Sequence, residues 1–246
     1  FFFFFFFFFF FFWGGGEGGC GGRFGILEDR AQRGWHRISA RDSAYTKSLC
    51  RPRADRIASN QRRLNRAQGA IVGQLVGDSL GSLVELWSSE DGKAAFPGGV
   101  RRMAWGGVWG TLPGQPTDDS EMALSLARSL VAKGFYEGDA VAGAYAHWYG
   151  SKPFDMGRTT GMALGEAHRA AAAGESPMAG ALRGRNPASQ ANGALTRVSP
   201  LGVFGVGALE DKLEAMARQD ASLTHPHPVC QVASALYCQA LAFAIR

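Results

Sequence analysis

Charge is scarce in this chain. Only 19% of its 246 residues are Asp, Glu, Lys or Arg, and 46% are hydrophobic, which excludes a polyelectrolyte and predicts a soluble globular protein. The net charge of +5 does not mark a nucleic-acid binder, because the excess is local. Residues 20–66 hold 12 Lys or Arg against 4 Asp or Glu, whereas residues 67–246 hold 14 against 16. No specific nucleic-acid binding is indicated. Cysteine is sparse too: Cys20, Cys50, Cys230 and Cys238 lack zinc-knuckle spacing, so reduced thiols in a cytoplasmic protein are expected. Alternating apolar and polar runs of useful length are also missing, which removes the usual sign of strands and predicts an all-α fold.

The first 12 residues are all Phe, followed by Trp13 and a Gly-rich run to Gly22. This aromatic block is too short to span a bilayer, has no basic residue before it, and is followed by no small-residue cleavage site. No membrane association is expected. Residues 23–65 are Arg-rich without a sustained apolar stripe, the texture of a solvated leader. The expected organisation is a low-complexity segment at 1–22, a basic leader at 23–65 and a folded domain at 66–246.

Within that domain a helix is predicted from Gln68 to Leu86. Gly69, Gly73, Gly77 and Gly81 recur every fourth residue, each step turning about 40° around the helix, so they form a small-residue seam that would admit another helix backbone. A second helix is predicted from Asp119 to Lys133, where Met122, Leu126 and Leu130 form one stripe flanked by Ala123, Ala127 and Val131. Further helical stretches are predicted at 139–149, 158–172, 207–219 and 228–245.

Chemistry-bearing residues gather at a few points. Asp118 and Asp119 follow Thr117 directly and precede an apolar-periodic helix. With Glu121, Asp118 has the spacing of a helix-capping box. The same turn presents two carboxylates and a hydroxyl to a hard cation such as magnesium or manganese, and a carboxylate can serve both ends. Asp78 and Glu85 lie seven apart, which on a continuous helix puts both on one face roughly 10 Å apart. A carboxylate beside a metal-bound water suits a general base, the role expected of Glu85. The Ser189–Arg197 stretch, with Asn192 and Gly193, is a loop of small residues whose backbone N–H groups suit phosphate or ribose oxygens, or make an Asx turn. In Thr224-His225-Pro226-His227-Pro228, His225 is placed either to contact substrate or to cap the last helix.

These segments, in order, resemble the ADP-ribosylglycohydrolase family. The matching text is the Gly69–Gly81 run with Glu85, then Leu112-Pro113-Gly114-Gln115-Pro116-Thr117-Asp118-Asp119-Ser120, the Ala191–Leu201 run and the Thr224–Pro228 turn. The resemblance implies a compact orthogonal helical fold holding two divalent cations, Mg2+ or Mn2+, with Thr117, Asp118 and Asp119 as first-half ligands. It implies Glu85 and Asp119 as catalytic groups, and Ser189, Asn192, Gly193 and His225 as ADP-ribose contacts. Asp78 matches a family position without an assigned role. The implied activity is hydrolysis of the bond joining ADP-ribose to a protein side chain or small acceptor. The alternative is a non-catalytic ADP-ribose-binding or structural protein of the same fold, or an inactive fragment. The family's late Asp-x-Asp motif, followed by Thr or Ser, has no counterpart up to Arg246, so second-half ligands are absent. On this expectation the chain is a C-terminally shortened version of the domain.

Overall fold

The Asn60 side chain accepts hydrogen bonds from the backbone N–H groups of Arg62 and Arg63, pairing donors that a helix start leaves free. Helix α1 (Gln61–Gly81) begins there. The computed structural model describes residues 60–246. The 1–22 segment and nearly all of the 23–65 stretch lie outside the described residues, and α1 starts within the last few residues of that stretch.

The prediction for α1 needs three corrections. It starts seven residues before Gln68 and ends at Gly81 rather than Leu86. A loop at Gly107 explains the early stop: with φ of +72°, a Cβ there would lie 2.1 Å from the Ser82 carbonyl oxygen. The loop occupies the space of the next helical turn, and the buried Ser82 and Thr111 hydroxyls join across it at 3.3 Å. Glu85 therefore lies in a turn beyond the helix, just before Leu86, whose φ is 62°. It does not share a helix face with Asp78. Finally, the glycine seam meets no neighbour among the described residues: added Cβ atoms at Gly69, Gly73, Gly77 and Gly81 would find nothing of them within 4 Å.

Nine α-helices and one 3-10 turn occur among the described residues, without a named strand; an isolated antiparallel bridge joins Gly106 and Thr111. After the short α2 (Ser89–Ala95) come α3 (Asp118–Lys133), α4 (Gly138–Gly150), α5 (Arg158–Ala172) and α6 (Pro177–Gly184). Then α7 (Ser199–Phe204) runs into a 3-10 turn at Gly205–Gly207, followed by α8 (Glu210–Ser222) and α9 (Pro228–Ile245). The all-α expectation holds. Four of the remaining predicted helices match closely. The fifth, expected from 207, starts at Glu210 because Gly205–Gly207 wind as 3-10. Helices α2, α6 and α7 have 7, 8 and 6 residues, too short to show a period.

The predicted stripe of α3 is in the core: Met122, Leu126 and Leu130 are buried, while Val131 is exposed. They meet Val141 and Tyr145 of α4, Leu164 of α5, Leu213 of α8 and Cys238 of α9 in one apolar cluster. The close backbone approach expected of the α1 glycines occurs between α5 and α6 instead. A Cβ at Gly180 would lie 2.6 Å from the Glu166 carbonyl oxygen, and one at Gly184 equally close to that of Met162. Helix α9 is long and apolar enough to cross a membrane by length and composition. One stripe of it, including Cys230, Ser234, Cys238 and Leu241, is buried, while Val229, Leu236 and Phe243 are exposed.

Candidate active site

The turn before α3 is held by a residue 39 positions away. Asp78 accepts from the Thr117 backbone N–H at 3.0 Å, from the Thr117 hydroxyl at 2.7 Å and from the Ser120 N–H at 3.1 Å. Asp78 thus caps α3 in trans, which gives it a structural role. The local capping reading is corrected accordingly. Thr117 is the N-cap residue but makes no side-chain cap bond, and Asp118 is already the first helical residue. Glu121 is no part of a capping box: it accepts the Trp148 indole N–H at 2.7 Å. With capping done by Asp78, the carboxylates of Asp118 and Asp119 are left for other work.

Each of them is short of counter-charge. Burial raises the Asp118 pKa, partly offset by a long hydrogen bond from the Gly157 N–H, and the charge of Asp78 adds to the rise. Asp119 is pushed up to about 7, first by burial and then by Asp118. The Thr196 hydroxyl works against that rise, although its oxygen makes no hydrogen bond of normal geometry. Glu85 is raised by burial and by Asp118 and Asp78, against a 2.9 Å hydrogen bond from the Trp109 indole. These mutual effects place Asp78, Glu85, Asp118 and Asp119 in one electrostatic cluster.

Asp155 joins them and was missed in the sequence. It is pushed up to about 7 by burial and then by Asp118, Glu85 and Asp78. It lies in the loop ahead of α5, between Phe154 and Met156, and Phe154 packs edge-on against Trp109 at 6.3 Å. A lone Asp in a loop carries no spacing signal; that its loop reaches Asp118, through the Gly157 N–H 39 positions away, is visible only in three dimensions. Among the described residues, Lys and Arg do not figure in the influences on these raised carboxylates.

The donor chemistry of Thr117, Asp118 and Asp119 fits a hard divalent cation, since all three offer oxygen and no positive charge of the described residues acts on the cluster. Thr117 spends its hydrogen on Asp78 and keeps a lone pair. Among the described residues no three His, Cys, Asp or Glu side chains form a ready metal-ligand group.

The second half of the site lies on the loop between α6 and α7. Gln74 of α1 ties it to α3, its side-chain N–H2 donating to the carbonyl of Asp119 at 3.3 Å and to that of Thr196 at 2.9 Å. The Ser189 hydroxyl pairs with that of Thr159 at 2.8 Å, and the Asn192 carbonyl accepts from Leu195 and Thr196, leaving the Asn192 side chain exposed. Gly193 meets His225: a Cβ there would lie 3.2 Å from the imidazole Cε1 and 3.0 Å from the Thr160 hydroxyl. A glycine at this point keeps the edge of the ring open.

The two histidines of the Pro turn divide their tasks. His227 caps α9, its Nδ1 accepting from the Val229 N–H at 3.2 Å. His225 is buried, with its pKa pushed down to about 3 by burial and then by the charge of Arg197, so the ring is neutral. Cys230 and Cys238 are free thiols, as expected, and Cys230 donates weakly to the carbonyls of Ser189 and Ala191. Cys20 and Cys50 lie outside the described residues.

The raised carboxylates have a consequence for stability. Between about pH 4 and pH 7 the folded state holds protons on Asp119 and Asp155 that the unfolded chain has released. The contribution of these two groups therefore falls as pH rises through that window, by on the order of a few kcal/mol for the pair. His225, whose pKa is pushed down, works in the opposite sense below about pH 6.5, so a variant isolates the carboxylate effect. Thermal unfolding without divalent cations should show wild type losing several degrees of Tm relative to Asp119→Asn as pH rises from about 5 to about 8. A difference that does not change with pH would contradict the assignment.

Known proteins share this sequence pattern and fold. Residues 59–246 match the family model described as ADP-ribosylglycohydrolase. The chain is 35% identical over 170 residues to the ADP-ribosyl-[dinitrogen reductase] glycohydrolase of Rhodospirillum rubrum, a match covering 69% of this chain and 54% of that protein. It is 28% identical over 192 residues to the ADP-ribosylarginine hydrolase Tri1 of Serratia proteamaculans, covering 74% and 47%. A solved structure described as an ADP-ribosylglycohydrolase-related protein complex superposes with a TM-score of 0.57 at 31% identity, covering 76% of this chain and 58% of that one. The chain spans about half the length of the curated relatives it matches. With the match covering every described helix, the chain belongs to the ADP-ribosylglycohydrolase family.

Proposed function

We propose that this site hydrolyses the glycosidic bond joining ADP-ribose to an ADP-ribosylated protein. The observation that carries the reading is the cluster of Glu85, Asp118, Asp119 and Asp155, raised by burial and mutual repulsion and tied through Gln74 to Thr196 in the loop that holds Gly193 against His225. A bare acidic cluster of this kind calls for a cation. Thr117, Asp118 and Asp119 would hold divalent Mg2+ or Mn2+, which when bound would polarise a ribose hydroxyl or a water. Two such ions is the number proposed for a complete site.

The chain's own residues account for the rest. Ser189, Asn192, Gly193 and His225 bind and orient ADP-ribose, with small residues at the loop giving access to backbone N–H groups. The bond from the anomeric carbon to the acceptor breaks, that carbon passes through an oxocarbenium-like state, and a water oxygen adds to it. The surrounding carboxylates, Asp119 among them, stabilise the developing positive charge. Glu85, whose proton affinity is raised and whose position is fixed by Trp109, moves the water proton toward the leaving group. The free thiols of Cys230 and Cys238 suit a reducing, cytoplasmic setting.

The substrate is a proposal taken from the relatives' names. One is named for dinitrogen reductase and another for ADP-ribosylarginine. The test is calorimetry of the chain with ADP-ribose, with and without Mn2+. Binding strengthened by the metal is expected. Binding unaffected by metal would favour a non-catalytic ADP-ribose binder, and no binding in either titration would discard the reading.

A further inference from the structure

His225 ends a chain of buried hydrogen bonds that starts at Arg197. The Arg197 and Asp220 side chains are both 0% exposed and pair at 3.1 Å through Nε and Oδ2. Arg197 Nη2 donates to the Asp220 carbonyl at 2.8 Å, and Tyr145 donates to Asp220 Oδ1 at 3.0 Å. The remaining nitrogen, Nη1, donates to the Gly193 carbonyl at 3.3 Å and to the Thr224 hydroxyl oxygen at 2.8 Å. That oxygen lies 2.8 Å from His225 Nδ1. One guanidinium therefore holds both segments proposed to line the ligand pocket.

The direction of each bond follows from the inventory of donors. A guanidinium has no acceptor, so the Thr224 oxygen accepts from Arg197. Thr224 is fully buried, and its hydroxyl has no other acceptor than His225 Nδ1 among the described residues. Were Nδ1 protonated, the Thr224 hydrogen would be buried without a partner. Nδ1 therefore accepts, and a neutral ring must carry its hydrogen on Nε2. The Cε1–Nε2 edge is the one that faces Gly193, where an added Cβ would lie 3.2 Å from Cε1 and 3.6 Å from Nε2.

We propose that Arg197 and Thr224 are positioning residues that lock His225 in its Nε2–H tautomer, so that the site offers one fixed donor beside Gly193 and selects a ligand with an acceptor oxygen there. The oxygen belongs to a ribose or a phosphate. This rests on the reading of the Gly193–His225 pair as a ligand pocket, yet the tautomer itself can be observed without ligand.

The experiment is a long-range nitrogen–proton correlation spectrum of the full chain labelled with nitrogen-15. The His225 signals are identified by their loss in His225→Gln. Wild type is expected to show an unprotonated Nδ1 and a protonated Nε2. Thr224→Val removes the relay at nearly constant volume and should shift the ring toward Nδ1–H or a mixture, while Thr224→Ser restores the wild-type pattern. Thr224→Val should also weaken ADP-ribose binding about tenfold, with Thr224→Ser rescuing it. An equal loss for ADP places the oxygen on the ADP portion, its diphosphate or adenosine ribose; a loss confined to ADP-ribose places it on the distal ribose. Protonated Nδ1 in wild type, which needs no variant to fold, would overturn the proposal. So would an unchanged spectrum or unchanged affinity in Thr224→Val. If wild type binds no ADP-ribose while its spectrum shows Nε2–H, the hydrolytic reading and the selection of an acceptor oxygen fail and the tautomer lock stands.

Discussion

Replacing Asp118 and Asp119 together with Ala should lower the release of ADP-ribose from a modified protein by at least about a thousandfold. The same change should make the metal-free protein more resistant to heat. Both effects have one source. Burial and mutual repulsion raise the two carboxylates, so their charge works against folding when no cation is present. Removing it relieves the fold and removes the proposed ligands. A helix-capping role predicts the opposite, namely a loss of stability on the order of 1 kcal/mol. Asp78 already makes the cap bonds to Thr117 and Ser120. Two measurements decide the matter: chromatography of released ADP-ribose with Mn2+ present, and thermal unfolding with chelator present. Unchanged turnover in the double variant would remove these residues from the mechanism, and a lowered metal-free Tm would return them to capping.

Asp220→Ala should destabilise the fold by roughly 3–5 kcal/mol, the cost of leaving a buried charge without its partner. Burial disfavours a charged guanidinium at Arg197, and the nearby Asp220 carboxylate outweighs it. Without that carboxylate the guanidinium has no counter-ion, and the Tyr145 hydroxyl loses its acceptor. The Tyr145 ring beneath Arg197, 4.7 Å from its central carbon, is a weak substitute. Urea denaturation of wild type, Asp220→Ala and the double variant Arg197→Met with Asp220→Leu measures this. The double variant should be less destabilised than Asp220→Ala, since it buries no unpaired charge. A loss below about 1 kcal/mol in Asp220→Ala would show that the pair is not closed to water.

Much of the helical framework was legible locally. The stripe Met122, Leu126, Leu130 announced α3, and the Pro turn at 226–228 announced the start of α9. The short helices escaped because two turns do not establish a period. The α1 glycines misled because spacing reports which residues share a face, not whether anything packs on it. Glu85 was found as a cluster member for the wrong geometric reason. Its helix was expected to continue, and the Gly107 loop stops it at Gly81.

The sequence alone determined the all-helical class, the order of the acidic turn and the two later loop segments, and the family to which that order belongs. Class and turns are set by residues within a few turns of one another, where periodicity, capping and turn chemistry act, and the family by the order of such short segments along the chain. Tertiary structure alone decided that Asp78 caps α3, that Asp155 joins the acidic cluster, and that His225 is buried while its neighbour His227 holds a helix end. The charge state and hydrogen-bond direction of a side chain depend on which groups surround it, and here those groups come from positions tens of residues apart.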